Sequence, residues 1–168
     1  MIRLVALDWG NTVMRDLPGQ VGPMAKWPIV EAMPGIKEAL AALAGRYRLA
    51  LATNAAESGE QEVRQALERV GLNALFELVQ SSRDLPWHKP QPEFYRALLD
   101  RAGCGPGEAA MVGDGWDNDV QGALAAGLAA VWYNPLGLAT PKGPAPQAAI
   151  RDLRELTAVI GRLDGARG

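Results

Sequence analysis

Ile2-Arg3-Leu4-Val5-Ala6-Leu7-Asp8-Trp9-Gly10-Asn11-Thr12 is a short apolar run that ends on an acid and passes into a glycine-containing turn. A run of this length reads as a strand. Outward from it, similar runs lie at residues 48–52, 78–80, 109–112 and 129–133, the third being the weakest. Helix-period stretches separate them at residues 36–44, 60–70, 93–102 and 118–126, the last three stopped by Gly71, Gly103 and Gly127. Strands alternating with helices predict a three-layer α/β fold, Rossmann-like, around a central five-stranded parallel sheet. A Pro/Gly-rich stretch at 134–146 leads to a closing helix at 152–163, with Leu153, Leu156, Ile160 and Leu163 at helical spacing. The final Gly165-Ala166-Arg167-Gly168 is expected to fray.

Residues 14–33 break the alternation: Pro18, Gly19, Gly22, Pro23 and Pro28 leave no clean period, so this segment reads as an inserted loop. With 168 residues, 48% of them hydrophobic, the chain suffices for one well-cored domain over 1–168. A net charge of −2, with acids and bases interspersed, offers no footprint for nucleic acid or an anionic membrane. The single Cys104 excludes a disulfide framework, and the opening apolar run is too short and polar for a signal peptide or membrane span; a cytoplasmic protein is expected.

In an open parallel sheet, ligands bind beyond the carboxyl ends of the strands. Four polar positions lie there: Asp8, Thr53-Asn54, Lys89 in Lys89-Pro90-Gln91-Pro92, and Gly113-Asp114-Gly115-Trp116-Asp117-Asn118-Asp119. A carboxylate is anionic at neutral pH without help and can attack phosphorus, provided that a cation and a positive side chain offset the charge of the substrate. Asp8 is the nucleophile on this reading. Mg²⁺ suits the site because it takes hard oxygens and needs only one or two carboxylates.

Taken in order, the four positions resemble the motifs of the haloacid dehalogenase-like superfamily over residues 2–133. The resemblance implies a hydrolase acting on a phosphorylated small molecule through an aspartyl-phosphate on Asp8. It implies Mg²⁺ held by Asp8, Asp114 and the carbonyl of Gly10, with Asp119 orienting metal-bound water or Lys89. Thr53, Asn54 and Lys89 would bind the phosphate, and Lys89 is one of only four lysines. His88, the lone histidine, has no role in the family.

The sequence departs from the pattern at Gly10, where phosphatases of this family carry a second aspartate that acts as general acid and base. Such help is typically worth about 100- to 10,000-fold. Three readings stay open: a slow phosphatase, a carbon–phosphorus or carbon–halogen hydrolase, and a degenerate binding protein. A phosphonoacetaldehyde-type enzyme needs a Schiff-base lysine, and Lys26 is the only one in the inserted loop. Residues 14–33 are too few for a full cap domain, so the site is expected to be open, or closed by a loop or a second copy in a homo-oligomer. Trp9, Trp27, Trp87 and Trp116 fall in that loop or beside the motifs, and Trp9, Trp27 and Trp116 are read as walling a pocket for an organic leaving group.

Overall fold

The computed structural model describes residues 1–166, and the fraying expected of Arg167 and Gly168 lies outside them. The strands are β1 (Leu4–Leu7), β2 (Arg48–Thr53), β3 (Leu78–Ser81), β4 (Ala109–Gly113), β5 (Ala129–Tyr133) and β6 (Ala148–Ile150). They form one parallel sheet in the order β3-β2-β1-β4-β5-β6. The expected five strands are therefore six. β6 escapes the sequence because it is a three-residue Ala-Ala-Ile segment after a proline-rich stretch, and it pairs with β5 alone at the sheet edge.

Alternate residues of the central strands feed two separate cores, as a sheet covered on both faces requires. Val5, Leu7, Leu49, Leu51 and Val112 face one cluster; Leu4, Ala6, Ala50, Ala52 and Met111 face the other. The first is roofed by α1 (Ile36–Leu43), α2 (Glu60–Arg69) and α5 (Leu156–Gly165). The second is roofed by α3 (Pro92–Ala102) and α4 (Gly122–Ala125). Moving outward from β1 to β3 uses one face, and moving from β4 to β5 uses the other, so the strand order reverses between β1 and β4. The crevice at such a reversal is where open α/β sheets bind ligands.

Two local departures bear on that crevice. The helix expected over 118–126 opens instead with a wide π-type turn, Trp116–Gln121, before the short α4. Its extra width folds Asp119 back so that its Oδ2 accepts from Gly115 N at 2.9 Å. Glycine at the end of β4 makes room for this, because a Cβ on Gly113 would lie 2.2 Å from the Asp119 carboxylate. Residues 14–33, read as a loop, are tied down at both sides. Met14 bridges to Gly10 and to Ala32, and a single turn forms at Met24–Lys26. Arg69 on α2 donates to the carbonyls of Ala25 (3.0 Å), Trp27 (2.6 Å) and Pro28 (3.2 Å).

Candidate active site

Asp8 leaves β1 and Asp114 leaves β4, so parallel pairing of those strands sets the two carboxylates side by side. Asp119 joins them from the π-type turn, and the three acids offer oxygens within 4.8 Å of one another. Lys89 enters from the loop before α3 and is buried at 2% exposure. Its ammonium donates to Asp8 Oδ1 (2.7 Å), Asp119 Oδ1 (2.6 Å) and Ala52 O (2.8 Å). Those three bonds use all three protons of the amine. A phosphate oxygen would therefore bond Lys89 only in exchange for one of them, which makes the lysine first of all the clamp on Asp8.

The electrostatics follow from three acids around one base. Burial pulls the Lys89 amine down, but Asp8 and Asp119 outweigh it and hold the amine above its ordinary value. Asp119 is pushed up to about 7, by burial first and by the charge of Asp8, with Lys89 opposing. Asp114, at the solvent edge, is raised to about 6 by the protein packed around it and by Asp8, against the hydroxyl of Thr12. Carboxyls that hold their protons this tightly mark a site with too little positive charge. A hard divalent cation fits that deficit and that donor set, and Asp8, Asp114 and Asp119 are the side chains that could hold it. A bound cation would favour the ionised form of Asp114.

Several residues shape the site without touching the acids' reactive edge. The buried Thr12 reaches Asp114 Oδ1 at 3.4 Å. Asn54 pins the lysine loop, donating to Lys89 O and accepting from Lys89 N, both at 2.8 Å. Its side chain is thus spent on Lys89 rather than offered to phosphate. Thr53 Oγ1 accepts from Ala55 N at 3.1 Å. The helix expected from residue 60 starts at Glu60, and two amides at its start are already met: Asp84 accepts from Glu60 N, and Glu62 from Gly59 N. Tyr95 was not foreseen. Its buried hydroxyl donates to Asn118 O and braces the turn that carries Asp119, but an aromatic at helical spacing is indistinguishable in sequence from a core residue.

The tryptophans do not converge on one pocket. Trp9 and Trp27 line a single cavity of about 290 Å³ next to Gly10 and Thr53. Trp116 lies in the opposite core, edge-on to Trp132 at 5.0 Å, because the strand alternation of β5 directs Trp132 to that face. Trp87 is partly exposed and lines no wall of this cavity. His88 is exposed, with Nδ1 turned to Lys89 O at 2.9 Å.

Residues 20–133 match the model of the family described as haloacid dehalogenase-like hydrolase. The chain belongs to the haloacid dehalogenase-like hydrolases. It is 34% identical over 133 residues to pyrimidine 5'-nucleotidase YjjG of Escherichia coli, covering 79% of this chain and 58% of that protein. It is 40% identical over 126 residues to a phosphoserine phosphatase of Thermus thermophilus, covering 73% and 50%. The haloacid dehalogenase-like chain thus spans about half the length of these curated relatives. Among solved structures, an uncharacterized protein from Listeria monocytogenes superposes with a TM-score of 0.87 at 24% identity, over 98% of this chain and 99% of that one, a likeness of fold. Among the described residues of this family member, no helix is long and apolar enough to cross a membrane.

Proposed function

We propose that this chain hydrolyses phosphate monoesters of small molecules through an aspartyl-phosphate on Asp8, slowly, with Mg²⁺ held by Asp8, Asp114 and the Gly10 carbonyl. The observation that carries the reading is the clamp: a buried lysine, saturated by acceptors, fixes one oxygen of a carboxylate that stands at the reversal of strand order beside two further acids. The relatives named as phosphatase and nucleotidase support phosphate esters as the substrate class.

On this reading, residues 14–33 stand where larger relatives carry a cap. The cation, when bound, neutralises phosphate charge as the nucleophile approaches. Asp8, held in place by Lys89, attacks phosphorus; the ester P–O bond breaks and the alkoxide takes its proton from solvent, since Gly10 has none to give. Water then attacks the acyl phosphate, releasing phosphate and restoring the Asp8 carboxylate. Asp119 keeps Lys89 charged and aligned throughout. The Schiff-base alternative lacks its amine: Lys26 is exposed and lines no part of the cavity.

The test is phosphate release from a panel of monoesters with Mg²⁺ or with chelator. Wild type is expected to turn over slowly with Mg²⁺ only, and Asp8→Asn to fall to background. An Asp8→Asn protein as active as wild type overturns the covalent route; a wild type inactive on every ester leaves the carbon–halogen hydrolase and the binding protein.

A further inference from the structure

The cavity beside Gly10 and Thr53 has a composition that sets what it accepts. Its inner wall is apolar and aromatic, with Trp9, Met24 and Trp27 all buried. Trp27 is held in orientation, since its indole N–H donates to Gly22 O at 2.9 Å. At the rim stand two exposed acids, Asp16 and Glu57. Among the described residues, no lysine or arginine lines it. At the nearby start of α2, the amides of Gly59 and Glu60 are already taken by Glu62 and Asp84. At about 290 Å³ it lies at the small end of ligand pockets, near the lower limit of roughly 300 Å³, and suits a single ring rather than a long chain.

We propose that this cavity is the leaving-group subsite, and that it selects phosphate monoesters whose alcohol carries a flat ring of neutral or positive charge while rejecting leaving groups that are themselves anionic. The proposal rests on the phosphatase reading. Aromatic walls favour flat rings, and their electron-rich faces favour cations. Asp16 and Glu57 attract a cationic substituent and repel a carboxylate or second phosphate. Because both acids are exposed, the selection is moderate and weakens with salt.

The test uses three esters that differ only in charge far from phosphorus: para-aminomethylbenzyl, benzyl and para-carboxybenzyl phosphate. In wild type with Mg²⁺ at low salt, kcat/KM is expected to fall in that order, by about 5- to 30-fold from first to last, as two exposed charge pairs allow. The difference should sit in KM. In the double variant Asp16→Asn, Glu57→Gln, the kcat/KM values of the three esters should converge. Equal kcat/KM for all three in wild type, or an order that survives in the double variant, overturns the proposal. If none of the esters is hydrolysed, the phosphatase reading has failed, and the subsite is judged by thermal shift with the three free alcohols. The same order of stabilisation, lost in the double variant, then supports it, and equal shifts overturn it.

Discussion

Gly10 is the residue at which this site parts from the pattern it otherwise follows. Its place in the backbone is not special: it lies outside the left-handed glycines, and a Cβ built on it meets nothing within 4 Å. Nothing steric therefore forbids an aspartate here, in contrast to Gly113, where the Asp119 carboxylate fills the space a side chain would take. Gly10→Asp should accordingly fold, and in Mg²⁺ it should melt close to wild type. If the missing acid limits the rate, kcat on a monoester with a poor leaving group should rise by about 100-fold, the lower end of what positioned acid-base help supplies. Esters whose alcohols leave readily should gain far less, because their alkoxides need no proton. A folded Gly10→Asp protein with unchanged kcat on poor leaving groups would show that the rate is limited elsewhere.

At the scale of elements, the inserted segment depends on α2 for its shape. Arg69 gathers three carbonyls from the chain on either side of Trp27, so one guanidinium sets where the cavity wall stands. Arg69→Ala removes these charge-assisted bonds, with a stability loss of about 1.5–3 kcal/mol. Its diagnostic consequence lies in substrate binding: KM for benzyl phosphate should rise severalfold while kcat holds, since Asp8 and Lys89 stand on other elements. A fall in kcat at constant KM would instead tie the segment to the chemical step. This dependence could not be read from the sequence, where residues 14–33 show only breakers. The strands were legible because buried parallel strands are continuous apolar runs, and the acids and lysine were legible because they follow the ends of those strands in order. β6 was hidden by its brevity, the π-type turn by a helical pattern that does not encode turn width, and the role of Asn54 by a contact that spans 35 positions in sequence. Trp116, expected in the pocket wall with Trp9 and Trp27, packs against the other core, because proximity to a motif does not reveal which side of the sheet a ring will pack against.

Across the whole molecule, the site is a charge imbalance built into an otherwise nearly neutral protein, and stability should register it. Without metal, the folded state holds protons on Asp119 up to about pH 7 and on Asp114 up to about 6, whereas an unfolded aspartate releases its proton near 3.9. Between those limits the native state binds more protons than the unfolded one, so stability falls as pH rises. Groups shifted the other way, Asp152 at about 2 and the lowered Glu77 and Glu108, act below about pH 4.5 and do not contribute in this window. Metal-free protein should therefore melt at a lower temperature at pH 7.5 than at pH 5.5. A cation bound by Asp8 and Asp114 competes with these protons, so Mg²⁺ should raise the melting temperature strongly at pH 7.5 and little at pH 5.5. Calorimetry in chelator and in Mg²⁺ across this range reads both effects. A metal-free melting temperature that climbs from pH 5.5 to 7.5 would mean that Lys89 alone balances the three acids and that the fold carries no unmet demand for a cation.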